Sequence, residues 1–198
     1  MTIIKPSVAV IDSYGSDMKI AEFAGICHDS GTEEKDVHKR IKFLINHGHE
    51  SPFERAVVTF EVKCSVPCAR QWFRHRLGSP QEFSGRYNVS KREYIIPESV
   101  PEKHLKIVEQ QYKDAELIYM YLINEGVHRE DARYVLPQGM AVNFYWQMNL
   151  RAWFNFLLLR NDFHAQDEIH RLADEVEGKL YELYPITMKY WREKNGRS

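Results

Sequence analysis

Stretches in which every second residue is apolar alternate along the chain with stretches in which apolar residues recur every three or four. That pattern predicts strands and helices mixed in one unit. Ser7–Asp12 reads as a first strand, ended by the polar run Ser13 to Asp17, and a helix over Lys19–Ile26 follows. Thr32 is placed to cap the next helix, with Glu33 and Glu34 where carboxylates suit the positive end of the dipole. Val37, Ile41, Leu44 and Ile45 share one face of that helix, and Gly48 stops it. Val58, Phe60, Val62 and Cys64 alternate with Thr59, Glu61 and Lys63, the signature of a half-buried strand. Ser65 and Pro67 then start a helix that Gly78 closes, with Arg70, Arg74, His75 and Arg76 riding on it.

Ser79-Pro80 breaks this helix, and Gln81–Asn88 reads as a loop before a strand around Tyr94–Ile96. Pro101 to Glu125 is the longest helical stretch, and a short helix over Arg129–Leu136 is stopped by Pro137. Met140, Val142, Phe144, Trp146 and Met148 alternate with more polar neighbours and predict a strand. Asn149 caps a helix carrying Arg151 and Asn155 one turn apart on one face, and a final helix covers His164–Leu183, ending before Pro185. Phe144, Trp146, Trp153 and Phe156 are assigned to the core, where aromatic stripes belong. The expected fold class is α+β, a single domain over 1–198 with a central, mainly antiparallel sheet flanked by helices.

Composition narrows the partners. The 198 residues hold 27 Lys plus Arg against 28 Asp plus Glu, a net charge that excludes a strongly basic nucleic-acid protein. No apolar run approaches the roughly 18 residues of a membrane span, and the first residues lack a signal-peptide layout. Three cysteines, Cys27, Cys64 and Cys68, are too few for a disulfide scaffold, so a cytoplasmic, reducing setting is expected. Cys64 and Cys68 straddle a strand–helix junction without a second close pair, so no metal site is expected.

The neutral total conceals a segregation. The window 70–92 has six basic residues and one acid, Glu82, and so carries +5 while the rest of the chain carries −6. From Arg133 to Arg160 the charged residues are Arg133, Arg151 and Arg160, with no carboxylate among them. Guanidinium groups among apolar side chains need solvent, acids from elsewhere, or an anionic ligand. Their planar fork suits phosphate, each charged bond contributing about 1.5–3 kcal/mol. The segment Gln71-Trp72-Phe73-Arg74-His75-Arg76, followed by Glu82, Ser84, Gly85 and Arg86, concentrates such groups beside a glycine that lets a ligand reach the backbone.

Arg74-His75-Arg76, seven residues, Ser84, one residue and Arg86 resembles the signature of the flavin-dependent thymidylate synthases. Three further blocks follow the order of that family: His47-Gly48-His49-Glu50-Ser51-Pro52-Phe53-Glu54, Ala132 to Pro137, and Asn149-Leu150-Arg151 with Asn155, Arg160 and His164-Ala165-Gln166. Together they cover roughly Ile41 to Glu168. Gly25 stands where the family often has arginine, and no contact is carried onto that loop.

The resemblance implies an enzyme that converts dUMP to dTMP, with methylenetetrahydrofolate as carbon donor and FAD reduced by NADPH. It implies a homotetramer whose sites are built from several subunits. Gln71, Arg74, Glu82, Ser84, Gly85, Arg86, Arg133 and Arg160 would hold dUMP. His49, Ser51, Arg74, His75, Arg76, Glu82, Asn149, Arg151 and Asn155 would hold FAD, and Arg160 would favour ionisation of the uracil ring. None of the cysteines lies in a matched motif, so uracil is expected to be activated without an enzyme thiolate. Ser84 has no general base near it in sequence and is read as a binding hydroxyl. The competing reading is a nucleotide- or RNA-binding protein that kept the fold and lost the chemistry.

Overall fold

The computed structural model describes residues 1–26, 34–84 and 92–197. In chain order the elements are β1 (Thr2–Ile3), β2 (Ser7–Tyr14), α1 (Asp17–Gly25), α2 (Glu34–His47), a 3-10 turn (Ser51–Arg55), β3 (Val57–Ser65) and α3 (Val66–Trp72). Then come β4 (Ser79–Glu82), β5 (Glu93–Tyr94), α4 (Glu102–Asn124), α5 (Arg129–Ala132), β6 (Ala141–Asn149), α6 (Leu150–Arg160), α7 (Asp167–Leu183) and α8 (Pro185–Lys194). The class is α+β. The main sheet has the order β2-β3-β6-β4, antiparallel throughout, while β1 and β5 pair in parallel as a small second sheet. Thr32, Glu33 and the loop positions 85–88 lie outside the described residues.

The period-two pattern predicts β3 and β6 because both bury one face. Phe60 sits opposite Trp146 and Val62 opposite Phe144, and all four are buried. α6 packs on that face, Trp153 meeting Phe60 edge-on at 4.9 Å between ring centroids. Its partners in the core include Ile169, Leu172, Val176 and Leu180 from α7. Two capped helices leave these central strands. The Ser65 hydroxyl accepts from the N–H of Cys68 at the start of α3, and the Asn149 side-chain oxygen accepts from Ala152 at the start of α6.

Three segments differ from expectation. α3 ends at Trp72 rather than near Gly78, so only Arg70 rides on it and Arg74, His75 and Arg76 occupy tight turns beyond. Phe73 stacks on Trp146 at 5.5 Å and turns the chain away, with Arg74 and His75 donating to the carbonyls of Gln71 and Trp72 three residues back. Gly78 is the point where the backbone crosses Trp146: a Cβ there would lie 2.2 Å from the indole. Gly78→Ala is therefore expected to cost about 1–3 kcal/mol, as overpacking of a rigid core ring does, read as a lower denaturant midpoint.

The expected loop from Gln81 begins instead as β4, paired to β6 from Ser79 to Glu82. Pro80 is tolerated because β4 is the edge of the sheet. Finally, α8 follows α7 where the sequence signals end. Pro185 occupies the first turn of α8, and the buried carboxylate of Asp17 accepts from the N–H groups of Ile186 and Thr187 at 2.9 and 3.0 Å. Its capping group thus comes from the other end of the chain.

Candidate active site

The cationic site residues gather where α3 and α6 end. Nε of Arg160, at the last position of α6, donates to Nε2 of His75 at 2.9 Å, and its Nη2 donates to the carbonyl of Gln71 at 3.0 Å. Both helices point carbonyls toward this corner, where a cation suits the negative ends of their dipoles. No carboxylate pairs with Arg160 among the described residues. Burial lowers the pKa of its guanidinium, with neighbouring Arg74 pushing in the same direction and Cys68 opposing. His75 is half-buried against Phe156, 4.8 Å between centroids, and burial with the Arg160 charge brings its pKa down to about 4. Arg74 and Arg76 are exposed beside it. The Gln71 side chain donates to Gln166 in the turn before α7, and Glu168 in the first turn of that helix accepts from both the N–H and the hydroxyl of Ser65. These bonds tie the segment after Arg160 to the root of α3.

Glu82 and Arg133 form a second group. They line one cavity of about 100 Å³ with Lys63, Tyr119, Met140 and Asn143, and none of Gln71, Arg74, His75 or Arg160 lines it. Partial burial raises the Glu82 carboxyl and Arg133 counters that rise. The Arg133 Nε donates to the carbonyl of Glu130. Asn143 donates to Glu61, while its own side-chain oxygen is buried without a partner. The sequence marks Asn143 only as a polar residue on the outward phase of β6. Ser84 follows β4, half-buried. Gly85 and Arg86 lie outside the described residues.

The third group surrounds the start of α6. Arg151 donates to Glu50 at 2.9 Å and to Glu54 at 2.6 Å, so this arginine finds acids from elsewhere and keeps three N–H groups beyond those bonds. Asn155 is exposed on the same face one turn on, and Asn149 caps the helix. Exposed Phe43 stacks on His47 and lies nearly parallel to His49, 4.2 and 5.7 Å between centroids. Ser51 begins the 3-10 turn beside them. The nine residues from Arg151 to Arg160 set this group about 13 Å from the first along the helix. Within one chain the candidate residues thus fall into three groups.

Comparison with known proteins identifies the family. Residues 9–186 match the family described as thymidylate synthase complementing protein. The flavin-dependent thymidylate synthase of Thermotoga neapolitana is 38% identical, the match covering 92% of this chain and 89% of that protein. The one from Thermus thermophilus is 34% identical, covering 96% and 76%. Among solved structures, the UMP/dUMP methylase PolB from Streptomyces cacaoi bound with 5-Br dUMP superposes with a TM-score of 0.90 at 25% identity, covering 98% of this chain and 97% of that one. The same methylase bound with 5-Br UMP gives 0.86 at 26% identity. A chain matched along nearly its whole length, with its charged motifs in order on the same fold, belongs to the family of flavin-dependent thymidylate synthases.

Proposed function

We propose that the protein methylates dUMP to dTMP, taking the carbon from methylenetetrahydrofolate and electrons from NADPH through FAD. The observation that carries this reading is Arg160, held by two uncharged partners with three N–H groups left over. Those donors meet the uracil and stabilise the negative charge that develops as its ring N–H ionises. Arg74 and Gln71 join Arg160 on the nucleotide, and Glu82, Ser84, Gly85, Arg86 and Arg133 complete its site. No thiolate is required. Cys64 and Cys68 are free thiols, both fully buried, and a hydrogen bond between them, together with burial, pushes Cys64 well above its usual range.

The residues present suit a flavin dinucleotide. Ser51, Arg74, Arg76, Arg151 and Asn155 offer donors for its phosphates and sugar, and the exposed Phe43–His49 face offers a flat aromatic surface. The amide oxygen of Asn149 is committed to Ala152, leaving its NH2 for the ligand. His75 keeps Nδ1, and Glu82 serves both ligands. When bound, the flavin supplies hydride.

We read the three groups as brought together where several copies combine. We read the enzyme as a homotetramer on the same ground, and surfaces for self-association are present. Ile107, Leu117, Ile118 and Tyr121 are exposed along α4, and Val10, Ile11 and Tyr14 along edge strand β2. The test is absorption of the protein loaded with FAD, then NADPH oxidation with folate and either dUMP or UMP. Dependence on dUMP with dTMP as product is expected. Preference for UMP would make the protein a ribonucleotide methylase, and failure to take up flavin would end the reading.

A further inference from the structure

Arg160 is pinned along one edge. Its Nε and Nη2 form the side-on edge of the guanidinium, and both are engaged, by His75 and by the Gln71 carbonyl. The end-on edge, with both Nη1 hydrogens and one on Nη2, is left for a ligand. Arginine only donates, so Nε2 of His75 is the bare nitrogen and the ring proton sits on Nδ1. The His75 N–H donates to the carbonyl of Trp72, which fixes the backbone of that turn, and Phe156 packs against the ring.

We propose that His75 is a positioning residue: as a neutral imidazole protonated on Nδ1, it accepts from Arg160 and sets the plane in which the guanidinium meets the nucleotide. The inference rests on the reading of Arg160 given above. A carboxylate in the same place would hold Arg160 equally well but cancel the charge that the nucleotide needs. An imidazole fixes it and leaves the charge intact. Arg160 faces the ring from α6 and Phe156 closes another side, so a second positive charge on His75 is disfavoured from both directions. Nδ1–H remains directed elsewhere, as a donor and not a cation.

Two variants separate the acceptor from the packing. His75→Phe keeps a ring against Phe156 but offers no acceptor, whereas His75→Gln brings an amide oxygen to roughly the reach of Nε2. Referred to bound flavin, kcat is expected to fall about 30-fold or more in the phenylalanine variant and to recover to within about 5-fold in the glutamine variant. An unimpaired His75→Phe, or a glutamine variant no better than phenylalanine, would overturn the proposal. Nitrogen-15 NMR of labelled histidines gives a readout independent of turnover, with the His75 signal identified by its absence from His75→Gln. A neutral ring with Nδ1 protonated is expected at pH 6. A ring mostly protonated there, or protonated on Nε2, contradicts the assignment. If the wild type makes no dTMP, the functional reading fails while this measurement still decides the role of His75.

Discussion

Arg160→Ala is expected to lower dUMP-dependent turnover by about 10²–10³-fold, the effect of deleting a preorganised donor at developing negative charge. Flavin should remain bound, because Arg160 is not among the residues assigned to hold it and each of those residues is retained in the variant. Arg160→Lys should recover little. An ammonium is a single nitrogen without a planar fork, whereas the guanidinium is fixed along one edge by two bonds and presents its other edge to the ligand. Steady-state rates with dUMP, together with the flavin spectrum of each variant, check both statements. Unchanged turnover in Arg160→Ala would remove this residue from the chemistry.

A larger contrast comes from mixing variants. Arg160 and Arg133 fall into different groups in one chain, since Arg160 does not line the cavity that Arg133 and Glu82 line. On the homotetramer reading, the two that serve one nucleotide come from two copies. Arg160→Ala and Arg133→Ala should each be nearly inactive alone. Equal amounts exchanged into mixed oligomers should regain about a quarter of wild-type activity, since a site with both arginines intact arises when each of two chains supplies its unaltered residue. Sites contained within single chains would regain nothing. Unlike a hydrodynamic mass, this result reports on composition of the site and not merely on association.

Where structure follows from neighbours in sequence, the chain states it openly. β3 and β6 are legible because each buries alternate residues against its partner, and α6 because Asn149 caps it locally. α8 is not legible because its cap is Asp17, a residue far away in the chain. β4 carries Pro80 and Glu82 and takes its strand character from pairing with β6, which no local propensity encodes. Gly78 resembles a helix stop in the sequence, whereas α3 ends at Trp72 and Gly78 accommodates Trp146. Among the site residues, the arginines declare themselves by the absence of local acids. Among the described residues that signal holds for Arg160, whereas Arg151 also finds acids in and just after the loop that follows α2. Which groups share a ligand is a property of assembly, and sequence order does not express it.

The neutral anchoring of Arg160 has a thermodynamic counterpart. Among the described residues Arg160 has no carboxylate partner, and a half-buried cation without one works against folding, a local penalty that its two uncharged partners leave uncorrected. An anionic nucleotide supplies the missing charge and, by mass action, stabilises the folded chain as it binds. Occupancy and fold stability are therefore linked at this corner. The protein is at its least robust when it is ready for substrate, and the arrangement that leaves Arg160 reactive makes the nucleotide part of what holds the two helix ends together.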